Sequence, residues 1–255
     1  MTRYFLSLFC ICIFLASQAA YSYSLKDIVK PDKLDKIKTP KIPIELFTQK
    51  PITASPTSIA AFVGATKNGP FNQPTTIASQ GDFIKTFGSL SDCGKMGIAV
   101  RDFFANGGTQ AIIVRLPKAD SSSDFVGSDK KAAFEGIYAL DKADIFNMLV
   151  IPPYKTNVPT DKQVISNAAA YCEKRLAMLL LDPDPAWTDC DDAADHKSDI
   201  GTTSPNAAAY FPMLVETDIS TGQPINVAPS GAVAGIIAKT DQQRGVWKAP
   251  AGTNA

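Results

Sequence analysis

The chain holds a single histidine, His196, which restricts the acid–base chemistry open to it. Asp182, His196 and Ser230 follow one another in the order used by one class of serine hydrolase. In such a triad the carboxylate orients an imidazole that takes the serine proton. His196 lies in a polar stretch, residues 189–199, with Asp191, Asp192 and Asp195 close by. That stretch reads as a mobile loop, a poor support for an imidazole that must stay within reach of a nucleophile. Ser230 follows Pro229 and reads as the first turn of a helix, not as a strained nucleophile elbow. The residues therefore assign no catalytic group.

Three other patterns have residue types that bear on chemistry. Asp182, Asp184, Asp189, Asp191, Asp192 and Asp195 could draw calcium, but the alternating spacing, central glycine and closing glutamate of a calcium loop are missing. A solvated acidic face is the preferred reading, and no metal is expected. Residues 64–69 (GATKNG) follow an apolar run as a phosphate loop would, yet they lack the Gly-Lys-Ser/Thr ending that holds phosphate and magnesium. A turn is the preferred reading, and no cofactor is expected. Cys93, Cys172 and Cys190 are widely spaced, with no CxxC among them, and read as buried or idle thiols. A Cys172–Cys190 disulfide stays open, because spacing alone does not decide it.

The 255 residues are 45% hydrophobic and 20% charged, the profile of a globular protein. Lys plus Arg number 25 and so do Asp plus Glu, so no bulk charge attracts nucleic acid or an anionic membrane.

The N-terminus differs from the rest. Arg3 precedes an uncharged, largely apolar stretch ending in small residues, including Ala16, Ala19, Ala20 and Ser22. Residues 1–22 read as a secretory signal peptide cleaved after Ala19 or Ser22, with an uncleaved anchor as the alternative. Cys10 and Cys12 would leave with it. Residues 23–50 alternate lysines with acidic residues and are broken by Pro31, Pro40 and Pro43, which reads as an extended arm or linker.

The folded body spans residues 51–250. Short apolar runs at 59–63, 112–116, 148–151 and 177–181 read as buried strands. Tyr210 to Val215 reads as a further one. Ser79 with Asp82 caps a helix that carries Phe83 and Phe87 on one face and closes at Gly88. Met96, Ala99, Val100, Phe103 and Phe104 form a helical core stripe ending at Gly107 and Gly108. Ser128 is expected to cap a helix bearing Phe134, Ile137 and Tyr138. Thr160 and Gln163 are expected to form a capping box for a helix bearing Val164, Ile165 and Cys172. A last helix follows Pro229 and carries Val233, Ile236 and Ile237. Apolar strands alternating with amphipathic helices define an α/β protein with a mostly parallel sheet covered on both faces.

Several segments, in order, resemble the contractile tail sheath family of phage tails and phage-tail-like injection systems. They are PTSIAAFVG (56–64), containing Phe62 and Gly64; residues 82–88, containing Phe83 and Gly88; and AVRDFFANGG (99–108). The third block holds Arg101, Phe103, Phe104, Asn106, Gly107 and Gly108. DIFNMLVIP (144–152) ends at Pro152. The most specific segment runs from Pro229, Ser230, Gly231 and Gly235 through Asp241 to Arg244, Gly245, Trp247, Lys248 and Pro250.

The resemblance implies a subtilisin-like α/β core without its catalytic residues, preceded by an extended arm, and a structural role with no enzymatic activity and no cofactor. The implied partners are copies of the same chain in a helical sheath, reached in part through the arm, and an inner tail tube protein. Nucleic acid is not an implied partner. Arg244, Trp247 and Lys248 read equally as interface residues or as local packing. Three departures stand against the resemblance. The expected C-terminal domain does not follow residue 250, only residues 117–130 occupy the place of an inserted outer domain, and the signal-like N-terminus points to export where the family implies a virion or tail-like particle. An exported surface-assembly module re-using a truncated sheath core is the alternative, and a subtilisin-like hydrolase a weaker one.

Overall fold

The computed structural model describes residues 55–130, 134–155, 157–218 and 221–252. The chain divides into two units, Met1–Thr53 and Ala54–Ala255. The signal segment and the arm lie outside the described residues.

The second unit is built on a six-stranded sheet: β1 (Ile59–Gly64), β2 (Thr75–Ile77), β3 (Gln110–Arg115), β4 (Met148–Val150), β5 (Met178–Leu181) and β6 (Ala207–Ala209). The strand order is β2-β3-β1-β4-β5-β6, parallel throughout except for the antiparallel edge strand β2. The strands are apolar on both faces because both are covered. Ala60, Phe62, Ile113, Met148, Val150 and Leu180 point to one layer. That layer contains α1 (Gln80–Phe87), α2 (Gly94–Ala105) and a long C-terminal helix, residues 230–244. Ala61, Val63, Ile112, Val114, Leu149 and Leu179 point to the other. There lie α3 (Ser122–Val126), the 3₁₀ helix η1 (Gly136–Lys142) and α4 (Lys162–Arg175).

Local signals explain most boundaries. The Ser79 hydroxyl accepts the Asp82 amide at 3.1 Å, and the Asp82 carboxylate accepts the Ala78 amide at 3.2 Å, so α1 begins as the sequence dictates. Phe83 and Phe87 are fully buried, and Gly88 closes the helix at φ +106°. The α2 stripe is buried at Met96, Ala99, Val100 and Phe103, with Phe104 half-buried at its flank.

Four local expectations are corrected. Ser128 caps no α-helix. The cap lies earlier, where Asp124 accepts the Ser121 amide at 3.0 Å and starts α3. Ile137 and Tyr138 belong instead to η1, because Gly127 and Gly136 both take positive φ and meet back to back. A Cβ on Gly127 would stand 2.2 Å from the Glu135 carbonyl oxygen.

Thr160 and Gln163 do not cap α4. Its N-cap is Asp161, whose carboxylate makes no cap bond, being taken by the Tyr154 hydroxyl and by Lys155 Nζ at 3.1 Å.

The strand expected over 210–215 is split. β6 lies earlier, in the main sheet, while β7 (Leu214–Thr217) pairs antiparallel with β8 (Pro224–Val227) in a separate hairpin. Pro212, which has no amide to donate, stands between them.

In the last helix, α6 (Ser230–Arg244), the residues buried deepest are not the branched ones expected, although Val233 and Ile237 pack in part against the core. Ser230, Gly231, Ala232, Ala234, Gly235 and Ala238 are buried, while Val233, Ile236 and Ile237 are only half-buried. Proximity to α2 is the reason. A Cβ on Gly231 would lie 2.4 Å from the Ala99 carbonyl oxygen, and one on Gly235 would lie 2.4 Å from that of Phe103. Branched side chains do not fit where two helix backbones come this close.

Gly235→Ala is therefore expected to destabilise the protein by about 1–3 kcal/mol through overpacking, despite the better helix propensity of alanine. Gly81→Ala in α1, whose Cβ would meet only the Ser79 hydroxyl at 3.6 Å, is expected to be neutral or to stabilise by up to about 1 kcal/mol. Denaturant unfolding of both variants reads the opposite signs.

Candidate functional site

In an open parallel sheet, ligands collect beyond the carboxyl ends of the strands, where the strand order reverses. Here the reversal lies between β1 and β4. A crevice of about 610 Å³ opens there, lined by Lys67, Asp92, Lys95, Asp120, Phe125 and Tyr154 among others. Its cations are already engaged: Lys67 bonds Asp92 at 2.8 Å, and Lys95 donates to the Lys155 carbonyl.

The turn at 64–69 is occupied from within. Arg115 donates to the carbonyls of Thr66 at 3.1 Å, Lys67 at 2.7 Å and Gly69 at 2.7 Å. The turn thus offers carbonyl oxygens to a cation, where a phosphate cradle must offer N–H groups.

The next strand end brings two of the triad candidates together. Ser230 donates its amide to Asp182 Oδ1 at 2.8 Å and its hydroxyl to Asp182 Oδ2 at 2.9 Å. Pro229, the N-cap of α6, makes no side-chain cap bond, so Asp182 caps α6 from the end of β5. Burial pushes the Asp182 carboxyl up to about 6, against the opposing pull of Ser230 and the Lys95 charge. Ser230 is fully buried and spends its proton on this bond.

His196 does not join them. It is exposed after α5 (Cys190–Asp195), with Nδ1 2.9 Å from the Asp192 carbonyl. The stretch expected to be a loop is thus partly helical. Asp189 caps it by accepting the Asp191 and Asp192 amides at 3.0 and 2.9 Å. Asp192 accepts the Thr188 hydroxyl at 2.8 Å, and Asp184 accepts the Ala186 amide at 2.9 Å. Asp184, Asp189 and Asp192 thus serve local turns and caps, and no cluster of three or more His, Cys, Asp or Glu able to hold a metal occurs among the described residues.

Cys93, Cys172 and Cys190 are free thiols; Cys172 is buried, which pushes its thiol up to about 12, and Cys190 is exposed.

The family-like residues divide by direction. Phe62 meets Phe103 edge to face at 5.5 Å between centroids, and Phe103 in turn meets Phe104 at 5.2 Å. Gly64 ends β1, and Pro152 is buried just after β4. Gly108 is required because its Cβ would stand 2.3 Å from the Phe103 ring. Gly107 has φ +102°, and Asn106 Nδ2 donates to the Asp102 carbonyl at 2.8 Å. With Pro229, Ser230, Gly231 and Gly235 these residues form the inner scaffold.

The outward set lies on the last turn of α6 and just beyond it. Asp241 accepts the Gly245 amide through its carbonyl at 2.9 Å, ending the helix. Arg244 and Pro250 are exposed, Lys248 is half-buried, and Trp247 is 85% exposed. The indole leans on Gly245, where a Cβ would meet it at 2.4 Å.

Arg101 points a different way from both sets. It bonds Asp102 Oδ1 through Nε at 2.8 Å and also bonds Glu216 of the β7–β8 hairpin. Local sequence patterns hold no sign of the Asp182 cap, the Arg115 plug or the Glu216 tie, because each joins residues at least 46 positions apart.

The fold is the one used by sheath chains of contractile injection systems. The contracted helical sheath of the anti-feeding prophage matches at 24% sequence identity and a TM-score of 0.58, over 78% of this chain and 50% of that one. The contracted sheath complex of the extracellular contractile injection system PVC matches at 23% identity and TM-score 0.57, over 79% and 49%. A chain of the contracted anti-feeding prophage baseplate matches at 22% and 0.59, over 83% and 57%. The chain thus spans about half the length of the solved chains it matches. No family model and no curated protein sequence matches it. Among the described residues, no helix is long and apolar enough to cross a membrane.

The raised Asp182 carboxyl sets a sign for pH dependence. The folded state holds this proton more tightly than the unfolded chain, so ionising Asp182 costs stability as pH rises through about 6. Asp182→Asn, which can still accept the Ser230 amide, is expected to flatten that fall. Asp182→Leu leaves Ser230 without its partner and is expected to cost about 1–3 kcal/mol. Thermal unfolding between about pH 4 and 8 compares all three proteins.

Proposed function

We propose that this chain is a structural subunit of a contractile sheath, acting by assembly and not by catalysis. The observation that carries the reading is the shared fold, reached along most of this chain. The sequence blocks support it, because they supply the inner scaffold of that fold, above all the glycines of the α2–α6 seam. The burial of Ser230 and the separate placement of His196 favour a core without a hydrolase triad.

In this reading residues 51–250 form a core of subtilisin-like architecture, residues 23–50 are an arm that reaches neighbouring subunits, and residues 1–22 are a signal segment. The subunits wind into a helical tube around an inner tube protein, as part of a tail-like particle. Arg244, Trp247, Lys248 and Pro250 lie at the subunit interface. An indole left 85% exposed on a short turn is a natural anchor for such a contact. Like contacts repeated head to tail generate a helix wherever the rotation between subunits does not close into a ring.

Negative-stain electron microscopy of the full chain, alone and mixed with an inner tube protein, tests the reading. Tubes, rings or striated rods are the expected result; uniform small particles in both samples would overturn it. Trp247→Ala is expected to shift unfolding stability by no more than about 0.5 kcal/mol, as for an exposed substitution, while abolishing the assemblies.

A further inference from the structure

The β7–β8 hairpin lies outside the main sheet, and its side-chain tie to α2 has an unusual composition. Arg101 is the cation. It bonds Asp102 Oδ1 with Nη2 at 2.7 Å and also bonds Glu216, in the middle of β7. One guanidinium therefore serves two carboxylates. Asp102 is 4% exposed, and among the described residues its second oxygen, Oδ2, has no hydrogen-bond partner. A buried carboxylate oxygen left in this state is costly unless it carries a proton.

Other charges do not relieve it. β8 carries no charged side chain, and α6 carries none from Ser230 to Ala238, its first being Lys239, which packs at Gly107. Asp218, two residues beyond Glu216, is engaged by the Thr221 hydroxyl at 2.9 Å in the hairpin turn. The charged groups acting on the Asp102 carboxyl are Arg101 and Glu216.

We propose that the β7–β8 hairpin is an acid-tightened flap, latched to α2 by a proton that Asp102 and Glu216 share beside Arg101. The proton comes from solvent and adds to the Asp102 carboxylate. The resulting O–H then donates to Glu216, and the cluster passes from a net charge of −1 to neutral. Burial raises the Asp102 carboxyl above its ordinary value; Arg101 opposes this and Glu216 adds to it. The sign follows: the docked hairpin gains stability as pH falls and loses it as pH rises. In the neutral-to-basic range the two carboxylates repel across a single guanidinium, and the hairpin opens more often.

Hydrogen exchange of the full chain, corrected for intrinsic rates, reads this directly. The protection of β7 and β8, taken as a ratio to that of β1, is expected to rise as pH falls from 7.5 to 4.5, a change bounded by about tenfold per pH unit for one proton. Asp102→Asn is expected to hold the ratio high at both pH values. Glu216→Gln, a change on a half-exposed strand that leaves the core intact, is expected to remove the pH dependence as well. A wild-type ratio that stays constant with pH would overturn the proposal, as would a Glu216→Gln protein that keeps the wild-type dependence.

Discussion

Two helix backbones meet in this protein with no room for a side chain between them, and much of the rest follows from that contact. At Gly231 and Gly235, α6 presses against the carbonyls of Ala99 and Phe103 on α2. The closeness brings the small residues of α6 deepest, so that Ala234 and Ala238 complete the layer over Phe62 and Phe103 while Val233 and Ile237 pack at its margin. It also fixes where α6 must start, directly beyond the end of β5, where Asp182 receives the Ser230 amide and hydroxyl. The price of that junction is a buried carboxyl raised to about 6.

The same geometry turns catalytic-looking residues to structural use. A carboxylate and a serine hydroxyl at hydrogen-bond distance are two-thirds of a hydrolase triad, but here the serine donates, is fully buried, and begins a helix. The turn after β1 is likewise spoken for: Arg115 fills it, anchoring three carbonyls where a nucleotide-binding protein would hold phosphate. The carboxyl edge of the sheet is thus stitched by the protein's own charges. Trp247, by contrast, is left exposed, and the β7–β8 hairpin stands outside the main sheet.

Much of the layered core was legible in the residues. Each of the four apolar runs falls on a strand of the sheet, and the Met96–Phe103 stripe lies on α2. The reason is physical: a strand covered on both faces must be apolar at every position, and a helix covered on one face must repeat every three to four residues. Capping was legible only where the capping side chain was free for it. Ser79 was free; Asp161 was claimed by Tyr154 and Lys155, residues a local pattern does not reveal as competitors.

By itself the sequence determined the α/β alternation, the buried strands and the glycine-bearing final block. Only the tertiary structure decided which face of α6 is buried, that β7 leaves the main sheet, and that Asp182, Arg115 and Arg101 each find a partner far along the chain. Period and propensity act over a few residues, so a sequence displays them directly. Backbone approach, desolvation and ion pairing act between segments that only the folded chain brings within a few ångströms, and a glycine in the sequence does not announce which carbonyl it makes room for.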